Sequence, residues 1–283
     1  MSILELITSL EMGMIYGIVA IGIYFTFRII DFPDLTCDGS FVLGAATSAI
    51  LIKEGYNPYL TLMVSIVAGM IAGLTTSILN IRFKISNLLS GIIVAFMLYS
   101  INLRVMKNVP NIALIDNDTI FTGSNSLLTL VFIATIIWII SAYLLTTDRG
   151  LALRIIGQNK RLALNSGVNV SAMTIMCLMF SNALISLAGG IFAQAQGFAD
   201  ISSGAGTVLI GFAAVIIGEK LLPFRSIVSS VLACIIGSII YRILVAFALR
   251  SDWLGLETQD LNLITSIMIV GIMIAPNWRK KSC

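Results

Sequence analysis

From Ser126 to Thr146 the chain reads SLLTLVFIATIIWIISAYLLT, without one charged residue. A run of that length matches the roughly twenty residues a helix needs to cross the hydrocarbon core of a bilayer. A barrel strand would alternate apolar and polar residues over about ten positions, and these runs do not alternate. Backbone groups inside lipid must be satisfied within their own segment, so runs of this kind fold as helices. They recur at 10 to 29, 39 to 53, 58 to 80, 85 to 103, 126 to 146, 170 to 192, 201 to 218, 226 to 248 and 261 to 276. The expected fold is all-α: a polytopic transmembrane helical bundle of about nine spans. With 58% hydrophobic and 11% charged residues, nothing is left over for a soluble domain, and residues 1–283 read as one transmembrane domain. The second and seventh runs are short and glycine-flanked, which makes them candidates for half-helices joined to irregular backbone. The first run begins near Leu10 behind Glu5 and Glu11, without a basic leader, and reads as a retained span.

Lysine and arginine collect on one set of alternating connections. One side receives Arg28, Arg82, Lys84, Arg149, Arg154, Lys160, Arg161, Lys220, Arg225, Arg279, Lys280 and Lys281; the other receives Lys53, Arg104, Lys107, Arg242 and Arg250. The bias places the N-terminus outside, the C-terminus inside and residues 150 to 169 in the cytoplasm. In such a chain a net charge of +3 reports orientation and implies no nucleic acid. Cys37, Cys177, Cys234 and Cys283 show no paired spacing, so no disulfide framework is expected. Histidine is absent and no acidic pair sits at metal spacing in a span, which leaves no catalytic residue, metal site or cofactor to assign.

The segment GLALRIIGQNKRLALNSGVN, 150 to 169, interrupts this apolar chain with basic and amide residues punctuated by Gly157 and Gly167. Its apolar residues recur at helical spacing, so it reads as a short amphipathic helix lying across the membrane face. Two uses fit: an interfacial helix covering lipid headgroups, or a docking surface for a cytoplasmic partner.

Gly150, Arg154, Gly157, Asn159, Ala163 and Gly167-Val168-Asn169 are followed by Leu187-Ala188-Gly189-Gly190 and then by Gly204, Gly206 and Gly211. This order and spacing resembles the permease subunits of bacterial ATP-binding-cassette importers, in the branch of branched-chain amino acid and ribose-type sugar permeases. Ile155 departs from the small alanine that commonly follows the arginine. A second element, Ile30 to Ser40 (IDFPDLTCDGS), resembles the loop after the first span in those permeases. It looks closest to permeases whose binding proteins are linked to aromatic amino acids. The resemblance covers about residues 10 to 275 and implies a bacterial cytoplasmic-membrane location. It also implies a cytoplasmic ATP-binding subunit, an external substrate-binding protein and a second permease copy, as a homodimer in a lipid membrane. It assigns coupling to the ATPase to the basic segment, with Arg154, Gln158, Asn159 and Arg161 as polar contacts, Leu162 and Ala163 as an apolar plug, and Gly157 and Gly167 shaping the turns. The chain contains no Gly-Lys dipeptide with which a P-loop would hold phosphates, in keeping with a separate ATPase.

Polar residues in or beside spans mark packing or a pathway. Asp34 and Asp38, one helical turn apart, fit a polar hinge at a helix broken by Pro33 and Gly39; a solvated turn with an Arg28–Asp31 pair is the competing reading. Asn182 and Ser186 share a face of the sixth span and Gln194 follows, available to a solute or as interhelical hydrogen bonds. The Gly13/Gly17 and Gly69/Gly73 spacings point to close helix packing. The loop from about Asn102 to Ser126 is too polar for lipid and suits the docking of a binding protein. An ion-coupled secondary transporter or channel is the alternative class, and it would call for inverted repeats and mid-span acids that are not evident. The scarcity of charge in the spans favours a small apolar or zwitterionic solute such as an amino acid.

Overall fold

The computed structural model describes residues 3–115, 117–221 and 226–250, together with Leu263, Ser266, Ile267, Val270 and Gly271. Ten helices run through the continuous segments: α1 (Ile3–Ile23), α2 (Thr36–Lys53), α3 (Pro58–Ile81), α4 (Asn87–Val105), α5 (Ser126–Thr146), α6 (Asp148–Gln158), α7 (Lys160–Asn165), α8 (Val170–Gln196), α9 (Thr207–Leu221) and α10 (Ile227–Arg250). Two three-residue strands, β1 (Asn111–Ala113) and β2 (Phe198–Asp200), complete the order. Six of the described helices are long and apolar enough to cross a bilayer: α1 with its extension to Ile29, α3, α4, α5, α8 and α10.

The two short runs are the ones that fall outside this set. Polar Thr36, Asp38, Ser40, Thr47 and Ser48 keep α2 from reading as a continuous apolar span. Helix α9 has 15 residues, a length of roughly 22 Å against a hydrocarbon core of about 30 Å. It begins at Thr207, six residues after the expected start, because 201 to 206 form successive turns. The ninth run, 261 to 276, lies outside the described residues apart from Leu263, Ser266, Ile267, Val270 and Gly271, which are helical.

Helix α8 is the central element, packed against α3, α2 and α1, while α1 also carries α10, α9 and α5. Close approach makes this possible. A Cβ on Gly44 would run into the carbonyl of Ser186, and one on Gly189 into the carbonyl of Phe41, so α2 and α8 touch backbone to backbone. Gly13 and Gly17 meet Ile239 and Ile235 of α10, and Gly69 and Gly73 meet α8, which is the packing role their spacing predicts. Where glycines leave off, rings fill the seam: Tyr16 stacks on Phe41 at 5.8 Å, and Phe41 meets Phe192 at 5.4 Å.

At the end of α1 residues Tyr24–Ile29 wind as a π-helix, and the chain then turns through Asp31, whose φ is 52°. Phe32 donates its N–H to the carbonyl of Thr26 at 2.8 Å, folding the 30 to 35 segment back under the helix. On the opposite side of the bundle β1 and β2 pair antiparallel, Ile112 opposite Ala199, and fasten the loop after α4 to the end of α8. Asn102, expected to open that loop, is instead a buried residue inside α4.

Candidate functional site

The basic segment forms two helices, α6 and α7, broken at Asn159, rather than one. Thr147 caps α6 by accepting from the N–H of Gly150, and Asn159 caps α7 by accepting from the N–H groups of Arg161 and Leu162 at 3.0 and 3.2 Å. Asn169 caps α8 in the same way through Ala172. Gly167 closes α7 with φ 78°. Each break in the segment between α5 and α8 is therefore accounted for by a side-chain cap or a left-handed glycine.

One face of this segment is buried. Leu153, Ile156 and Ala163 are fully covered, while Gln158, Asn159, Lys160, Arg161, Leu162 and Leu164 are exposed. Ala163, expected as part of an outward plug, is 0% exposed and anchors α7 instead; the apolar pair turned outward is Leu162 and Leu164. Gly157 lies so close to the end of the first span that a Cβ there would strike the carbonyl of Ile29. Beside it, Arg154 and Gln158 share a cavity of about 470 Å³ with Tyr24, Phe27, Arg28 and Asp31. The Nε of Arg154 is buried without a hydrogen-bond partner among the described residues. Arg28 pairs through Nε with Glu219 of α9 at 2.7 Å, not with Asp31. The end of the first span thus touches α6 through Gly157 and α9 through Glu219.

Asp34 is fully buried. Its Oδ1 accepts from the N–H of Thr36 at 2.9 Å and its Oδ2 from Nδ2 of Asn182 at 2.8 Å. Asn182 in turn accepts from the Ser40 hydroxyl at 2.7 Å, and the Thr36 and Thr76 hydroxyls share a bond of the same length. Ser186 donates to the carbonyl of Ser65 at 2.6 Å. Gln194 donates to Ser48 and Thr61 and accepts from the N–H of Ile120. Asp34, Asn182, Ser186 and Gln194 therefore spend their polar atoms binding α2, α3 and α8 together, the interhelical use of the two that the sequence left open for Asn182, Ser186 and Gln194. The 30 to 40 segment is a folded, buried element and not a solvated turn.

Asp38 stands apart. Its Oδ1 accepts from the hydroxyl of Thr207 at 2.7 Å and the N–H of Val208 at 2.9 Å, and its Oδ2 from the N–H of Gly206 at 3.3 Å. A carboxylate in the first turn of α2 thereby caps the start of α9, a helix distant in sequence, and complements its dipole. The 201 to 206 turns it anchors are irregular backbone packed against Asp38 and Val42 through Gly204. Asp38 also lines a cavity of about 720 Å³ between α2, α4 and those turns, with Phe96, Tyr99, Asn102 and Ser202.

The family model described as the permease component of the branched-chain amino acid transport system matches residues 5–275. The chain belongs to this permease family. Among curated relatives, the permease is 40% identical to a tyrosine transport system permease protein of Clostridioides difficile over 274 residues, covering 96% of this chain and 91% of the relative. It is 36% identical to an uncharacterized protein of Rickettsia prowazekii, covering 93% of this chain and 95% of the relative. A nucleoside ABC transporter permease protein of Lactococcus lactis is 31% identical over 62% of this chain and 54% of its own length. No solved structure matches the permease.

Sequence reading missed two features of the permease site. Asn102 sat at the edge of a predicted loop, and only the helix continuing to Val105 places it against α2. Leu164 is exposed beside Leu162, and a six-residue helix gives too short a pattern to fix which leucines point out.

Proposed function

We propose that the chain is the membrane-spanning permease of an importer for an aromatic or branched-chain amino acid, driven by a separate cytoplasmic ATPase and fed by an external binding protein. The family membership and the tyrosine transport relative of Clostridioides difficile support this reading. The observation that carries the mechanism is the lever: an exposed leucine pair framed by Lys160 and Arg161, rigidly capped, with Gly157 packed directly on the carbonyl of Ile29. Leu162 and Leu164 insert into an apolar cleft of the ATPase, with Gln158, Asn159 and Arg161 around them, and Gly167 shapes the exit into α8. Movement of α6 and α7 is transmitted to the first span at Ile29, to α9 through Arg28–Glu219, and to α5 and α8 by direct continuation. The bundle opens alternately to the two sides in response.

The reading includes one domain of about nine spans, with the N-terminus outside and the lever in the cytoplasm, as the distribution of basic residues suggests. Two copies form the pathway in a bacterial cytoplasmic membrane. The nucleoside label of the Lactococcus lactis relative makes a nucleoside the second reading of the substrate. The test is reconstitution in proteoliposomes with the cognate ATPase and binding protein. ATP-dependent uptake of tyrosine is expected, with Leu162→Asp abolishing ATPase co-purification and uptake together. Uptake by the permease alone, or full coupling in Leu162→Asp, overturns the reading.

A further inference from the structure

We propose that the cavity between α2, α4 and the 201 to 206 turns is a station for the primary ammonium group of the solute, with Asn102 as its acceptor and Phe96 and Tyr99 carrying its apolar body. This rests on the reading of the chain as an amino-acid permease and adds the group recognised and the residues that recognise it.

The starting point is a buried atom without a partner. Asn102 is 1% exposed, and its Nδ2 donates to the carbonyl of Gly39 at 3.1 Å. A carbonyl only accepts, so the nitrogen must be the atom facing it and the amide orientation is fixed. That leaves Oδ1, which is buried and has no hydrogen-bond partner among the described residues. Buried acceptors of this kind are rare and costly, and each calls for an explanation. Asn102 lines the 720 Å³ cavity; Oδ1 itself is closed off in this structure, and the amide must swing toward the cavity for an arriving donor to supply the missing bond.

The rest of the lining specifies what kind of donor. Asp38 contributes a carboxylate whose Oδ2 accepts only from the N–H of Gly206 at 3.3 Å among the described residues, which leaves acceptor capacity on that oxygen. Among the described residues, no lysine or arginine lines the cavity. Two acceptors and one negative charge complement a cation with several N–H donors, and a primary ammonium has three. Phe96 and Tyr99 are 74% and 53% exposed on the open side, where ring faces receive an apolar body and favour a nearby cation. Since no basic residue is present, the group read here is the ammonium and not the carboxylate.

The experiment uses the assembled importer. In proteoliposomes holding permease, ATPase and binding protein, Asn102→Leu is expected to lower L-tyrosine uptake at least tenfold while the ATPase still co-purifies. Phe96→Ala and Tyr99→Ala, which alter exposed side chains, are expected to raise the KM for uptake severalfold. On the permease–ATPase complex without binding protein, tyramine should displace labelled L-tyrosine, whereas 3-(4-hydroxyphenyl)propionate, which lacks the amine, should not. Wild-type uptake by Asn102→Leu, or equal displacement by the two analogues, overturns the proposal. If Asn102→Leu fails to assemble, unchanged KM values in both aromatic variants overturn it. Absence of L-tyrosine uptake by the wild-type importer counts against the functional reading instead, and direct binding of labelled tyramine to the permease–ATPase complex, lost in Asn102→Leu if the assignment holds and unchanged there if it does not, then decides the cavity assignment by itself.

Discussion

Asn182 of α8 donates through Nδ2 to Oδ2 of Asp34 at 2.8 Å, tying the segment between α1 and α2 to the central helix of the bundle. Neither residue is exposed, and each has a second partner: Thr36 for Asp34 and Ser40 for Asn182. The pair is the inner knot of a hydrogen-bonded seam that holds α2, α3 and α8 in register, in surroundings where a lost partner is not replaced by water.

Breaking that knot is predicted to cost stability before it costs transport. Asn182→Leu removes one bond to the Asp34 carboxyl and leaves it buried with a single donor, a loss of about 2–3 kcal/mol. Asp34→Leu should cost a similar amount, and the double variant should cost less than the sum by about 1–2 kcal/mol, because the two share one interaction. Thermal unfolding of the four proteins in detergent checks this. Additive losses would mean that the contact carries no coupling energy.

Asp38 does for α9 what a local cap does for most helices, from a residue remote in sequence. Asp38→Ala strips the Gly206 and Val208 N–H groups of their acceptor and leaves the Thr207 hydroxyl only the carbonyl of Gly204. The first turn of α9 should fray, at about 1–2 kcal/mol, and amide exchange at Gly206 and Val208 should accelerate while that of α8 stays slow. Unchanged protection at those two amides would show that the backbone turns hold without the carboxylate.

Much of this architecture can be read from the chain because lipid imposes a length on apolar runs. The boundaries of α3, α5 and α8 fall close to where the runs begin or end. What escaped reading is what distant residues decide. The 201 to 206 stretch is apolar enough to pass for the start of a span, and only its tie to Asp38 shows why it turns instead. The strands β1 and β2 are three residues each and exist because Asn111 to Ala113 meets Phe198 to Asp200 across the bundle. Asn182, Ser186 and Gln194 were legible as polar residues on a span, yet whether they face a solute or a neighbour depends on helices that close around them. Ala163 turned inward for a related reason: the cap at Asn159 sets the phase of α7, and no run of apolar residues announces it.

The strand pair also carries a pH-sensitive anchor. Burial works against the ionised form of Asp200, but hydrogen bonds from Ser202 and Asn111 outweigh it and hold its carboxyl below the usual carboxylate range. A carboxyl with a depressed folded-state value stabilises the fold above its unfolded value and loses that contribution as pH falls through the folded one. The pairing of Asp200 with Asn111 and with the N–H of Ser202, at 2.9 and 2.7 Å, should therefore be intact at neutral pH. It should weaken only below about pH 4, the ordinary aspartate value. Amide exchange at Ser202 against pH checks this, and Asp200→Asn should remove the acid-dependent step.

On the proposed reading, a substitution at Gly157 should separate holding the ATPase from obeying it. Its α-carbon lies against the carbonyl of Ile29, where a side chain has no room, whereas Leu162 and Leu164 point away from the bundle. Gly157→Leu must push α6 off the end of the first span, since the obstacle is backbone and cannot rotate aside. Overpacking of this kind costs about 1–3 kcal/mol, and here the displacement falls where α6 packs on the end of the first span. The exposed face of α7 is left untouched. Gly157→Leu is therefore expected to retain its ATPase on purification and to keep ATP hydrolysis within about twofold, while uptake falls by tenfold or more, roughly 1.4 kcal/mol of lost coupling. Leu164→Asp should do the reverse and lose the ATPase with the permease still folded. If Gly157→Leu imports normally, the contact with Ile29 is packing without transmission, and force must pass into the bundle through α5 and α8 alone.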